Sequence, residues 1–97
     1  MSKKKTASKD VVVLSTGVRV SKMFHDELFE KTMANIRTLR YGVPYKSEDI
    51  VEPRYWAKHR FDHWHMGCCI ADWERRGLIP LRFVGCEYCK VRYYMRT

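Results

Sequence analysis

The sequence predicts a small α+β domain, from two stretches with helical spacing and one pair of alternating stretches near the C-terminus. Apolar residues recur at helical spacing from Ser21 to Arg40 and again from about Arg60 to Arg76. The stretches "LIPLRFVG" and "CKVRYYMR" alternate apolar and polar residues a few positions apart, which is typical of an antiparallel hairpin. Because 97 residues have room for one core, we expect a single domain over residues 11–97.

The first twenty residues divide into a charged and an apolar half. Residues 1–10, "MSKKKTASKD", contain four lysines and almost no apolar side chains, which predicts a flexible basic arm. Val11 to Val20, "VVVLSTGVRV", has two β-branched runs around Ser15-Thr16-Gly17. We therefore expect a short N-terminal strand or hairpin before the first helix.

Three helices are expected in the middle of the chain. Ser21 is a suitable N-cap for the first helix, and Gly42 and Pro44 follow its end. A second helix of at most two turns fits between Ser47, its N-cap, and Pro53.

The third helix is the longest element of the second half. Met66, Ile70 and Trp73 form its core stripe, and Gly77 ends it. The residues expected to face away from the core are His65, Cys68, Asp72 and Arg75.

The C-terminal hairpin is expected to have one apolar and one basic face. The core-facing residues would be Leu81, Phe83, Val91 and Tyr93. The opposite face would hold Arg82, Lys90, Arg92, Tyr94 and Arg96. The turn would be formed by "GCEY" or "CEYC".

The charge of the chain predicts a partner rich in phosphate. Nineteen Lys and Arg against eleven Asp and Glu give a net charge of +8, with a pI near 9.5. The plainer alternative is a basic protein without such a partner. No apolar run approaches the roughly 20 residues that span a bilayer, so we expect no membrane partner and a cytoplasmic location. The four cysteines are then expected to be reduced thiols or metal ligands.

The order of helix, short helix, long helix and basic hairpin resembles a winged helix-turn-helix, in the layout of small phage and prophage DNA-binding proteins. The end of the long helix is similar to the usual end of a recognition helix, through Ile70, Trp73, Gly77, Leu78 and Ile79. The last strand is similar to a second wing strand, through Arg92, Tyr93, Tyr94 and Thr97. The likeness covers about the last fifty residues. Pro53 to His59 departs from it, being longer than the usual turn of roughly 3–4 residues.

This resemblance implies a duplex DNA-binding protein that regulates transcription or replication in a phage or mobile element. A recognition helix meets base edges with its N-terminal residues, while flanking cations hold phosphates. The helix candidates are Lys58, Arg60, His63, His65 and Cys68, with Trp64 either a contact or part of the core. The wing would add Arg82, Lys90 and Arg92, and the arm would add Lys3, Lys4 and Lys5. Pairing of two chains through the helix Ser21 to Arg40 is left open.

The cysteines leave a structural zinc site open as an alternative to a chain without cofactors. Cys86 and Cys89 have the Cys-x-x-Cys spacing of a zinc knuckle. His65 with Cys69 at i, i+4, or with Cys68 at i, i+3, would complete a site with three cysteines and one histidine. The competing hypothesis, which we favour, is that these thiols pack as small apolar groups.

Other classes of function are less supported by the sequence. "HRFDHWH" brings His59, Asp62, His63 and His65 close in the chain, but no further catalytic motif accompanies it, so we expect no enzyme. One alternative is a small phage-type protein-interaction module or inhibitor, whose basic face would bind an acidic surface of a host nucleic-acid machine. Another is a zinc-stabilised RNA-binding protein.

Overall fold

A computed structural model describes residues 10–88 and 91–97. The helices are α1 (Lys22–Ile36), α2 (Ser47–Ile50), α3 (Pro53–Lys58) and α4 (His63–Arg76). The strands are β1 (Val11–Val13), β2 (Arg19–Ser21), β3 (Pro44–Tyr45), β4 (Leu81–Glu87) and β5 (Val91–Arg96). The predicted basic arm lies outside the described residues, except for Asp10. Within the described ranges, no helix combines the length and apolar character needed to cross a membrane.

The strands form two antiparallel sheets, and the prediction of a mixed α+β domain is confirmed. β1 and β2 pair as an N-terminal hairpin, with Val12 opposite Val20. The second sheet has the order β3-β5-β4, so the short strand after α1 lies beside the last strand of the chain. Tyr45 is opposite Tyr94 in this sheet. The C-terminal hairpin is therefore attached to the helical part of the chain through β3.

Helix α1 begins as predicted but ends earlier than predicted. The hydroxyl of Ser21 accepts a hydrogen bond from the N–H of Phe24 at 3.4 Å. The predicted end at Arg40 is wrong: α1 ends at Ile36, and the N–H groups of Thr38 and Leu39 bond three residues back in a tighter turn. A terminal nitrogen of Arg96 donates to the carbonyls of Arg37 and Leu39 at 3.1 and 2.9 Å. This cation stabilises the non-helical course after Ile36.

Helix α3 was not predicted, because the stretch from Pro53 to His59 was expected to be a long turn. Pro53 occupies the first helical position, where a missing N–H has no cost. The carboxylate of Glu52 accepts hydrogen bonds from the N–H groups of Arg54 and Tyr55 at 3.1 and 3.0 Å. The hydroxyl of Tyr55 donates to Glu27 of α1 at 3.0 Å. The stretch is therefore a capped helix bound to α1.

Helix α4 has the predicted core stripe and the predicted end. Met66, Ile70 and Trp73 are buried, as expected, and Cys69 is buried with them. Gly77 follows the last helical residue with a φ of 70°, a left-handed conformation that favours glycine. The start differs from the prediction: α4 begins at His63 rather than near Arg60, since Arg60 and Phe61 belong to the turn after α3.

Asp72 does not face solvent, contrary to prediction. It is 3% exposed, and its Oδ1 accepts a hydrogen bond from the N–H of Ser15 at 2.7 Å. Its Oδ2 forms an ion pair with the Nε of Arg76 at 2.9 Å. The turn of the N-terminal hairpin therefore covers this side of α4. The apolar pattern of one helix does not show that a distant segment covers part of its surface.

The faces of β5 are the reverse of those predicted. Leu81 is opposite Arg96, and Phe83 is opposite Tyr94, which is 1% exposed. Tyr94 therefore lies on the core face in place of Tyr93, and Arg92 shares that face. Apolar residues occur at both odd and even positions of "VRYYMR", so the alternation does not select a register, and a shift by one residue exchanges the faces. Cys86 lies within β4, so the turn follows Glu87.

The buried indole of Trp73 is bound to α1 by a hydrogen bond. Its N–H donates to Nε2 of His25 at 3.0 Å, while Nδ1 of His25 contacts the carboxylate of Asp26 at 3.1 Å. The ring of Phe29 packs edge-on against the same indole at a centroid distance of 5.0 Å. His25 thus supplies the acceptor that a buried indole N–H requires.

We expect His25→Ala to lower the free energy of unfolding by about 1–3 kcal/mol, because it leaves the indole N–H of Trp73 buried without an acceptor. His25→Gln offers a side-chain carbonyl and should lose less. Urea unfolding followed by tryptophan fluorescence measures both changes. Equal stability of the alanine variant and the original chain would contradict this role for His25.

The attachment of the N-terminal hairpin to α4 through Asp72 should weaken in acid. Burial raises the pKa of Asp72, but the hydrogen bonds from Ser15 and the ion pair with Arg76 outweigh burial and hold the pKa below its ordinary value. The resulting stabilisation is complete above the ordinary pKa of about 3.9, and is lost as pH falls through the lower folded-state pKa. Asp72→Asn should therefore be less stable at neutral pH by about 1–3 kcal/mol.

The difference between the original chain and Asp72→Asn should shrink as pH falls below about 4. Urea unfolding at pH 7 and at successively lower pH measures it. Glu30→Gln, an exposed acid on α1, serves as the control and should show no comparable loss at pH 7. If the difference in free energy of unfolding between the original chain and Asp72→Asn stays constant with pH, this role of the Asp72 carboxylate is contradicted.

Candidate nucleic-acid interface

One face of α4 remains accessible between the core stripe and the cover over Asp72. Together with β5, it borders a cleft of about 520 Å³, which we call the α4 cleft. The helix side of the cleft comprises His63, Trp64, Gly67, Cys68, Ala71 and Arg75. The other walls come from Thr16 in the N-terminal hairpin, Lys46–Glu48, Trp56, Val91 and Arg92. The cleft therefore joins the long helix to the C-terminal hairpin.

Trp56 and His63 form a rigid part of the cleft wall. Their rings stack with centroids 3.6 Å apart and planes 10° apart. Nε2 of His63 lies 2.8 Å from the carbonyl oxygen of Trp56, a contact that requires a proton on that nitrogen. Both the ring face and Nε2 of His63 are thus engaged by α3. His63 fixes the start of α4 against α3.

Arg92 is held by the aromatic residues of its own sheet. Its guanidinium lies over the ring of Phe83 at 4.0 Å, and its Nε donates to the hydroxyl of Tyr94 at 2.9 Å. Its terminal nitrogens have no hydrogen-bond partner among the residues that the structure describes. Arg92 therefore presents a cation in a fixed orientation to the cleft.

Arg75 supplies a second cation at the C-terminal end of the cleft. Within the described part of the chain, its guanidinium forms one hydrogen bond, of 3.5 Å, to the hydroxyl of Ser15. In residues 10–88 and 91–97, neither Arg75 nor Arg92 forms an ion pair with a carboxylate. Lys46, by contrast, lies 3.7 Å from Glu48. The two arginines therefore account for the uncompensated positive charge of the cleft.

The structure brings three of the sequence-predicted residues to the cleft and leaves four elsewhere. His63, Cys68 and Arg92 line it. Lys58 and Arg60 are exposed at the end of α3 and in the turn that follows. His65 packs against the edge of the Trp64 ring at 5.2 Å, and Arg82 is exposed on the opposite face of the sheet from Phe83. Lys3, Lys4, Lys5 and Lys90 lie outside the described residues.

Two aromatic residues around the start of α4 are exposed, and Phe61 was not identified as a candidate from the sequence. Trp64 is 66% exposed and Phe61 is 86% exposed, with the guanidinium of Arg60 5.0 Å from the Phe61 ring. The sequence left Trp64 undecided between core and surface. The core stripe at Met66, Ile70 and Trp73 could have excluded Trp64 from the core, because Trp64 lies off that stripe. Arg75 was expected only to face away from the core.

The cysteines occupy different environments. Cys69 is completely buried, and burial raises the pKa of its thiol to about 12. Burial also raises the pKa of Cys68, against the opposing effect of Arg75. Cys86 is exposed on β4, and Cys89 lies outside the described residues. Among described residues, no group of three His, Cys, Asp or Glu side chains could hold a metal ion. No three of the proposed ligands His65, Cys68, Cys69 and Cys86 are therefore brought together.

Each histidine of the "HRFDHWH" stretch packs against a different aromatic ring. His59 lies 4.2 Å from the Tyr55 ring centroid and 3.4 Å from the carboxylate of Asp62. His63 stacks on Trp56, and His65 contacts Trp64. Of these ring contacts, the one between Trp56 and His63 positions α3 relative to the start of α4.

The surplus positive charge is divided unevenly along the chain. Lys3, Lys4, Lys5, Lys9 and Lys90 lie outside the described residues, whereas all eleven acidic residues lie within them. The described part therefore has fourteen cations against eleven anions, a net charge of +3. An electrostatic contact made by this part depends on where the cations lie.

Comparisons with protein-family models, with curated proteins and with solved structures found no match to this chain.

We expect a strong zinc chelator to leave the thermal unfolding midpoint unchanged, because Cys69 packs in the core with Met66 and Ile70 and the described residues hold no group of three possible ligands. The measurement is circular dichroism during heating, on protein purified with added zinc, with and without chelator. Cys86→Ser should match the original chain under both conditions. A midpoint that falls with chelator, and is already low in Cys86→Ser, would instead support a zinc knuckle.

Proposed function

We propose that this chain is a winged-helix protein that binds duplex DNA and regulates transcription or replication in a phage or mobile element. The order α1, β3, α2, α3, α4 and hairpin, with a sheet ordered β3-β5-β4, supports the winged-helix layout, in which α3 is an additional helix before the recognition helix α4. The observation that carries the DNA-binding proposal is the exposed start of α4. Lys58 and Arg60 precede it, and Arg92 of the hairpin lines the cleft beside it.

The start of α4 has the features of a helix that enters the major groove. The first turn of a helix has free N–H groups and a partial positive charge, and both favour phosphate. Trp64 and His65 are the side chains of this turn that are available for base contacts. Lys58 and Arg60 would bind phosphates beside them and fix the orientation of the helix on the duplex.

The hairpin would make the second contact with the duplex. Arg92 has an oriented guanidinium, and Arg82 is exposed on the outer face of β4. Guanidinium groups suit phosphate oxygens or a narrow minor groove. The basic arm at Lys3, Lys4 and Lys5 would add contacts that raise affinity without sequence preference.

A protein partner is the second candidate function. The described part has a net charge of only +3, and Phe61 and Trp64 expose large aromatic surfaces. Aromatic residues are enriched in the centres of protein interfaces. A host nucleic-acid machine with an acidic surface would fit this combination of aromatic and basic groups.

Arg60→Ala should weaken duplex binding without changing stability, because Arg60 is exposed and its guanidinium lies over the exposed ring of Phe61. If Arg60 neutralises one phosphate, the slope of log affinity against log salt should become shallower by about 0.9. Fluorescence anisotropy with a labelled duplex at several salt concentrations measures both effects. Lys31→Ala on α1 removes the same charge away from the interface and should bind as the original chain does.

Alanine at position 92 would remove packing as well as charge, since the side chain of Arg92 lies over Phe83. Arg92→Met keeps much of this apolar contact and removes the charge. It should weaken duplex binding in the same assay. Unchanged affinity in both Arg60→Ala and Arg92→Met would refute the proposed surface.

A further inference from the structure

We propose that the α4 cleft binds one unpaired nucleotide, with the base against Trp64 and the phosphate on Arg75 and Arg92. The choice of ligand rests on the proposed nucleic-acid function. The cleft shares Trp64 and Arg92 with the proposed duplex contact, whereas Arg75 belongs only to the cleft. Lys58 and Arg60 belong only to the duplex contact, so Arg75 and Arg60 distinguish the two. The unpaired nucleotide could belong to a strand or be a free mononucleotide.

The size of the cleft suits a ligand of this class. Its volume of about 520 Å³ lies within the range of about 300–1,000 Å³ that is typical of small-ligand sites. Gly67, Cys68 and Ala71 give the helix wall a mainly apolar surface. A single base with its sugar can occupy such a space, whereas a duplex cannot enter it.

Trp64 provides the surface on which a base would stack. Its ring is two-thirds exposed and borders the cleft. Stacking of a base on an aromatic side chain is a main source of affinity for single-stranded nucleic acids. The stacked pair of Trp56 and His63 makes the adjoining wall stiff, which lowers the entropy lost when a ligand binds.

Arg75 and Arg92 provide the charge that a phosphate requires. Guanidinium groups bind phosphate oxygens through two parallel N–H groups. Arg92 is already oriented by Phe83 and Tyr94, so little ordering is needed on binding. An apolar wall, an exposed indole and two uncompensated guanidinium groups together match a flat ring that has an anionic substituent.

Gly67 supports the presence of a ligand beside α4. It lies in the middle of the helix, where glycine is among the least favourable residues. The fold does not require glycine there, since an added Cβ would meet only the hydroxyl oxygen of Ser47, at an ordinary distance of 3.8 Å. A ligand lying against the helix backbone would account for the missing side chain.

The test uses the full chain and a fluorescein-labelled oligothymidylate, with affinity measured by fluorescence anisotropy. Arg75→Gln and Trp64→Leu should each weaken binding by about tenfold, a typical loss for one phosphate or stacking contact. Their matched controls are Arg54→Gln on α3 and Phe61→Leu, which alter an exposed arginine and an exposed aromatic residue outside the cleft. Both controls should bind as the original chain does.

Gly67→Leu is a third variant that fills the cleft while improving the helix propensity of α4, so it should fold and bind weakly. Competition with thymidine monophosphate identifies the source of the nucleotide: displacement of the oligomer supports a free mononucleotide, and no displacement supports a strand. Absence of oligomer binding, or equal affinity of cleft variants and controls, would overturn the inference.

The duplex assay with Arg60→Ala keeps the two proposals distinguishable. Duplex binding that depends on Arg60, without any oligomer binding, would overturn only the nucleotide site. Oligomer binding that depends on Arg75 and Trp64, without duplex binding, would support the nucleotide site and remove the duplex proposal.

Discussion

The burial of α4 on two sides is the constraint on which the rest of the structure depends. Its core stripe packs against α1, where His25 accepts the hydrogen bond from the indole of Trp73. The carboxylate of Asp72 holds the N-terminal hairpin on another side of the same helix. Between these two contacts, the face along Trp64, Cys68 and Arg75 borders the cleft. This face and the first turn of α4 are where the proposed ligands would approach the helix.

The C-terminal hairpin determines what kind of surface that face becomes. Placing Tyr94 in the core puts Arg92 on the same side of β5, where Phe83 supports its guanidinium. The alternating pattern assigned Arg92 to the outer face, but in the structure Arg92 forms part of the cleft wall. The net charge of the described part is only +3, so the positions of Arg75 and Arg92 matter more for binding than the total charge does.

The sequence predicts those elements that depend on one local pattern. Ser21, the stripe of Met66, Ile70 and Trp73, and the left-handed Gly77 follow from capping and helical spacing. Helix α3 was not predicted because its N-cap is Glu52, an uncommon capping residue. The position of Asp72 and the face of β5 depend on contacts between distant segments, which periodicity does not encode. The aromatic residues and the arginines of the cleft belong to different elements. Only the folded structure shows that they lie together.

The measurement that tests the central claim most directly is the binding isotherm of the full chain on a DNA duplex across a range of salt concentrations. A protein that neutralises phosphates with its helix, hairpin and arm should show log affinity falling linearly with log salt, by about 0.9 for each phosphate neutralised. We predict a steep slope that corresponds to several phosphates. Absence of duplex binding, or an affinity that ignores salt, would contradict the account and favour an acidic protein partner.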